Sequence, residues 1–179
     1  MGKALACGRL DGSALGRGIW VAWSERGLTS LRFWNEASGE PQPFAEDFLE
    51  AQTIPAVYSE NLERYLAREE VDPAALPVDP EGTPFQQRVW RAMRHIGRGQ
   101  VRTYAGLASD VGSPRAMRAV GAANARNPIP IAIPCHRVVA SGMALGGYSS
   151  GLDIKRYLLE LEGARVVGDL VQPGQLSLL

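Results

Sequence analysis

The chain has 179 residues, 45% of them apolar and 21% charged, with 19 basic side chains against 19 acidic ones. That composition fits a globular protein of one large or two small domains, each with a modest core. It excludes a spanning segment, since no stretch approaches the ~20 apolar residues that cross a bilayer. The N-terminus lacks the basic and apolar regions of a secretory signal, and Cys7 and Cys135 alone make no disulfide framework, so a reducing cytoplasm is expected. The zero net charge hides an asymmetry. Residues 1–80 hold 7 Lys and Arg against 13 Asp and Glu, whereas residues 81–165 hold 12 against 5, and 11 of those 12 are Arg. The planar fork of Arg pairs well with phosphate, so the second region suits a polyanionic partner.

In chain order, Ile19–Trp23 and Leu28–Trp34 are β-branched and aromatic runs around Ser24-Glu25-Arg26-Gly27, which predicts a hairpin. Apolar residues at Tyr58, Leu62, Tyr65 and Leu66 predict a helix over 58–70. Three prolines within 71–80 read as a linker, which sets the boundaries: an N-terminal α/β domain with its linker over 1–80, a helical domain over 81–165, and a tail over 166–179. Thr83 followed by Pro84 caps a helix that Gly97 stops. Thr103 caps a second one through Asp110. A third starts at Ser113-Pro114 and runs to about Ala125, and the pair has the look of a helix-turn-helix bearing Arg115 and Arg118. A last helix, 152–162, ends at Gly163. The fold class is therefore α+β.

The run Ile133-Pro134-Cys135-His136-Arg137-Val138-Val139 sets one of two cysteines beside one of two histidines. A thiol is a nucleophile only as thiolate, and a neighbouring imidazole is the usual means of populating that form. Pro128, Pro130 and Pro134 each fix φ, so the approach is expected to be extended and rigid. The alternative is a buried, inert thiol.

The surroundings of this heptad resemble the O6-alkylguanine-DNA alkyltransferases, also called methylated-DNA–protein-cysteine methyltransferases. The likeness runs from Thr83-Pro84-Phe85-Gln86 through Gly99-Gln100-Val101-Arg102-Thr103-Tyr104, Arg118-Ala119-Val120-Gly121, Asn127-Pro128, the heptad and Gly147-Tyr148-Ser149. It closes at Leu159-Glu160-Leu161-Glu162-Gly163, in order and without gaps. For the fold it implies a small ribonuclease H-like N-terminal domain and a winged-helix-like C-terminal one. For function it implies transfer of an alkyl group, chiefly methyl, from guanine O6 in double-stranded DNA to Cys135, once per protein and with no cofactor.

The resemblance also assigns roles. Glu162 orients His136, which draws the thiol proton through a water. Tyr104 donates to the departing guanine. Tyr148 and Ser149 close over the base, backbone groups of Cys135 and Val138 read its exocyclic amine, and Asn127 is the buried tie between the helix-turn-helix and the active-site segment. Arg118 fills the space left by a base flipped out of the stack. The helix-turn-helix docks in the minor groove, where readout is degenerate. Arg115, Arg126 and the amides opening the helix at Ser113 are candidate phosphate contacts.

Two positions depart from the pattern. Ser150 stands where many relatives have a glycine. The N-terminal region holds Cys7 but no histidine, so no metal is expected, Cys7 reads as a buried hydrophobe and His95 as a surface residue. Gln175-Leu176-Ser177-Leu178-Leu179 resembles the pentapeptide by which bacterial repair proteins hold the sliding clamp. A monomer is expected. Three rival readings stand beside this one. They are a damage sensor without chemistry, a thiol hydrolase that would turn over, and a helix-turn-helix transcription regulator, which would need dimerisation or a partner domain.

Overall fold

Strand-length runs rich in β-branched and aromatic residues assemble the N-terminal sheet. Strands β1 (Leu5–Leu10), β2 (Gly18–Ser24), β3 (Gly27–Trp34) and β4 (Phe48–Glu50) lie in the order β3-β2-β1-β4. The β1/β2 and β2/β3 pairs are antiparallel, the latter being the expected hairpin, and β4 joins β1 in parallel. The computed structural model describes residues 5–34, 48–50 and 53–172. Alternate side chains leave the sheet on opposite faces. Ile19 and Val21 enter the main core, whereas Trp20 and Ala22 pack with Cys7 and Trp34 on the other side. Cys7 is thus a small buried hydrophobe.

Helix α1 (Ala56–Leu66) buries Tyr58, Leu62, Tyr65 and Leu66, the four residues that predicted it. It stops short of residue 70 because Arg68 turns into the left-handed region at φ 66° and the Glu69 N–H closes on the Arg64 carbonyl. Residues 71–80 then run between sheet and helices, held on both sides. Leu28 N–H donates to the Pro77 carbonyl at 3.0 Å, and the Arg94 guanidinium donates to the carbonyls of Ala74 and Leu76. Gly27 makes that approach possible, since a Cβ there would lie 2.7 Å from the Pro77 carbonyl group.

Helix α2 (Pro84–Arg94) opens on a complete capping box, Thr83 with Gln86, worth about 1 kcal/mol at such positions. Two-residue strand β5 (Arg102–Thr103) leads into α3 (Tyr104–Asp110), capped by Thr103 as predicted. Helix α4 (Met117–Ala125) starts later than Ser113, because residues 113–116 form a turn closed by Ala116 N–H on the Ser113 carbonyl. The amides at Ser113 therefore open a turn, and the helix N-terminus lies at Met117. β6 (Val138–Val139) pairs in parallel with β5, and α5 (Leu152–Leu161) follows. Residues 165–172, which lie mostly within the expected tail, form a hairpin of β7 (Arg165–Val167) and β8 (Leu170–Gln172). Its turn carries a Gly at φ 58°, Gly168, and Asp169 accepts from Leu145 N–H.

A single apolar core runs through both halves, joining Val21 and Leu31 of the sheet, Leu62 of α1, Met93 of α2, Val120 of α4 and Leu158 of α5. Each such side chain stabilises the fold by roughly 1.5–3 kcal/mol when fully buried. No helix among the described residues is long and apolar enough to cross a membrane.

Candidate active site

The segment before the cysteine is a buried turn and not the extended approach the prolines suggested. Ile133 N–H closes on the Ile129 carbonyl at 2.8 Å, and Ile131 sits at φ 73°. A proline φ near −65° suits turns as well as extended chain, so the prolines restrict without choosing. A β-branched residue at positive φ costs on the order of 1–3 kcal/mol and persists only where its surroundings hold it. Here Asn127 does so from two directions. Its Nδ2 donates to the Ile133 carbonyl at 2.7 Å and its Oδ1 accepts from Ile129 N–H at 3.0 Å. Asn127 is half-buried, not fully buried as expected.

The turn delivers Cys135, His136 and Arg137 on one 3-10 turn with all three side chains inside. Burial pushes the Cys135 thiol up, while the Asn127 amide, the Tyr148 hydroxyl and the Lys155 charge pull it down; burial prevails, so the resting group is the thiol. The Tyr148 hydroxyl faces the sulfur yet makes no well-aligned hydrogen bond among the described residues, and its own pKa is pushed well up by burial. A protonated thiol needs a base before it can act as a nucleophile.

His136 has the right state for one. Burial lowers its pKa more than Glu162 raises it, which keeps the imidazole neutral at pH 7. Its Nε2 lies 2.9 Å from Glu162 Oε1, and an ionised carboxylate only accepts, so Nε2 carries the hydrogen. The lone pair of Nδ1 is then the basic site, and no donor among the described residues occupies it. There is no direct hydrogen bond between Cys135 and His136 among the described residues.

Glu162 caps the C-terminal end of α5, where the helix dipole disfavours a carboxylate. Five donors offset this: Tyr65 Oη at 2.6 Å, His136 Nε2, Arg137 Nε at 2.9 Å and Nη2 at 2.8 Å, and Gly99 N–H at 3.4 Å. Against the upward push of burial, His136 and Arg137 hold its carboxyl well below the usual range. Arg137 is itself fully buried, and its other donors reach Asp72 and the Ile96 carbonyl. A second buried cation, Lys155, donates to the carbonyls of Val138 and Leu145 and is lowered to about 8 by burial. Arg137 was legible only as a letter of the motif. Lys155, Tyr65 and Asp72 gave no local signal, because nothing near them in the chain announces a buried charge.

Above the thiol lies a cleft of about 200 Å³ lined by Tyr104, Asn124, Cys135, Gly147, Tyr148 and Ser149. That is below the roughly 300–1,000 Å³ of drug-sized sites, so it suits one small group. Tyr104 is partly buried, its pKa raised by burial and then by Cys135, and Asn124 Nδ2 donates to its hydroxyl at 3.5 Å. Ser149 is exposed at the mouth, and Val138 is buried beside the thiol. A larger cavity of about 670 Å³ adjoins, sharing Ala125 and Ser149 and rimmed by Arg17, Arg32 and Arg126. Arg115 and Arg118 are exposed at the start of α4, and Arg126 at its far end, away from the other two. His95 is exposed, and no group of His, Cys, Asp and Glu among the described residues is arranged to hold a metal.

Residues 84–164 match the family model described as 6-O-methylguanine DNA methyltransferase, DNA binding domain. A methylated-DNA–protein-cysteine methyltransferase of Methanosarcina acetivorans is 42% identical over 146 residues, which covers 82% of this chain and 92% of the relative. The chain belongs to the methylated-DNA–protein-cysteine methyltransferase family. Solved structures agree. Mycobacterium tuberculosis OGT in complex with DNA superposes with a TM-score of 0.76 at 36% identity, covering 88% of this chain and 92% of its own. The O6-methylguanine-DNA methyltransferase of the hyperthermophilic archaeon Pyrococcus kodakaraensis strain KOD1 gives 0.63 at 29% identity, covering 89% and 99%. Those structures share the mixed helix-and-sheet class seen here.

Proposed function

We propose that Cys135 is the residue that takes the alkyl group, in one turnover, from O6-alkylguanine in duplex DNA. The coarser activity follows from family membership: the protein repairs DNA by alkyl transfer to one of its own cysteines. The observation that carries the finer reading is the buried thiol at the floor of a small cleft, followed directly by a neutral histidine whose far nitrogen is fixed on Glu162.

The thiol proton passes through a water to His136 Nδ1, and the imidazolium so formed is stabilised by Glu162. The sulfur lone pair forms the C–S bond as the C–O6 bond breaks, and the C–O6 bonding pair leaves on guanine, which Tyr104 protonates. Tyr148 and Ser149 close the cleft over the flipped base, with Asn127 and the Val138 backbone fixing its floor. The thioether has no good leaving group, so the thiol does not return. Arg118 enters the stack from the minor groove while Arg115, Arg126 and the turn at Ser113 meet phosphates. No cofactor takes part in these steps, and the protein acts as a monomer in the cytoplasm.

The test is mass spectrometry after incubation with a duplex carrying one O6-methylguanine. A single methyl on the Cys135 peptide, capped at one per protein, supports the reading. Lesion binding without mass gain means a sensor, repeated turnover on an ester means a hydrolase, and either outcome ends it. Residues 175–179 lie outside the described residues; their resemblance to a clamp-binding pentapeptide supports a sliding-clamp partner. Deleting them abolishes a pull-down with a bacterial clamp, and unchanged binding refutes that partner.

A further inference from the structure

Helix α1 belongs to the N-terminal half, yet Tyr65 on it reaches the relay in the C-terminal half. Its side chain is wholly buried among apolar residues, and its hydroxyl donates to Glu162 Oε1 at 2.6 Å across 97 residues of sequence. The same oxygen already accepts from His136 Nε2 at 2.9 Å and Arg137 Nη2 at 2.8 Å. A third donor is not needed to satisfy that oxygen. It takes up carboxylate charge that would otherwise act on His136, and it fixes the oxygen in line with Nε2–H.

We propose that Tyr65 is a positioning residue for alkyl transfer, holding Glu162 in place and moderating its pull so that His136 stays a free base near neutral pH. This rests on the reading of Cys135 as the alkyl acceptor. The charged groups acting on His136 are Glu162, Arg137 and Lys155, and those acting on Tyr65 are Glu162, Arg137 and Arg98. Asp72 acts from further out by pairing with Arg137 at 2.8 Å. Of these contacts only the Tyr65 hydrogen bond can be deleted while every charge is kept.

The experiment measures single-turnover methyl transfer from duplex DNA between pH 5 and 9 for the full chain and for Tyr65→Phe, together with the NMR titration of the His136 imidazole. Without the hydroxyl, Glu162 pulls harder on the imidazolium. The acid limb of the rate profile and the His136 titration both move up by roughly half to one pH unit, which makes transfer roughly three- to tenfold slower on that limb. The alkaline plateau and the affinity for DNA stay at wild-type values. A stronger donor, 3-fluorotyrosine placed at Tyr65, shifts both profiles down, and it decides the matter if Tyr65→Phe does not fold. An equal loss at every pH, or an unmoved His136 titration, overturns the proposal. If the wild-type chain transfers no methyl, the reading of Cys135 fails instead, and the imidazole titration still tests Tyr65.

Discussion

The buried cluster around Glu162 and the exposed surface of α4 treat their charges in opposite ways. Inside, the Glu162 carboxylate has five donors and Arg137 has partners on three sides. Outside, Arg115, Arg118 and Arg126 are exposed and have no ion pair or side-chain hydrogen bond among the described residues. A charge removed from water must be fully paired within the protein, because the penalty for leaving it alone amounts to several kcal/mol. A charge meant for phosphate does best if it stays solvated and unpaired until the nucleic acid arrives. The contrast separates a fully paired charge cluster around Glu162 from solvated cations on and beside α4, the division expected if the first serves the proposed chemistry and the second the proposed DNA contacts.

Four substitutions probe that contrast. Cys135→Ala breaks the chemistry alone: methyl transfer falls to nothing by mass spectrometry, while lesion binding and the urea midpoint hold. Glu162→Gln breaks the interior. It leaves Arg137 buried without its carboxylate partner, and urea unfolding at pH 7 shows a loss of about 3–5 kcal/mol. The pH dependence has a definite sign. A carboxyl depressed in the folded state stabilises above its unfolded value of about 4.3, and that stability drains away as pH falls through the folded value. Glu162→Gln flattens this acid limb.

Lys155 gives a smaller effect in the same direction, at higher pH. Its folded value of about 8 lies below the ordinary lysine value, so the unfolded chain binds the proton more tightly. Stability therefore climbs between about pH 8 and 10, by about 2–3 kcal/mol, and Lys155→Met removes the climb. Arg118→Ala sharpens the outer side of the comparison. It slows transfer from duplex DNA by roughly tenfold through loss of help with base extrusion, and leaves the unfolding midpoint unchanged. A fall in stability for Arg118→Ala, or none for Glu162→Gln, would collapse the distinction between the two regions.

Local signals in the chain determined a good part of this protein. The hairpin around Gly27, the caps at Thr83 and Thr103, the buried face of α1 and the end of α5 at Gly163 were legible because each depends on residues a few positions apart. The adjacent Cys135 and His136, and the match that places Glu162, pointed to the site for the same reason. Local rules were less able to choose between competing backbone states. Pro114 permits a helix start that the chain delays to Met117, and the prolines before Cys135 permit an extended approach that becomes a turn with Ile131 at positive φ.

Tertiary structure alone decided which distant groups meet. Tyr65 and Asp72 come from the N-terminal half, 97 and 65 residues from their partners Glu162 and Arg137, and Lys155 is an ordinary lysine until its helix is packed. Such pairings are set by the shared core that docks the sheet and α1 against the helices, and burial then converts proximity into shifted protonation states. A linear pattern carries no record of burial at that range, so the adjacent Cys135 and His136 stood out in the sequence while the groups packed around them from a distance did not.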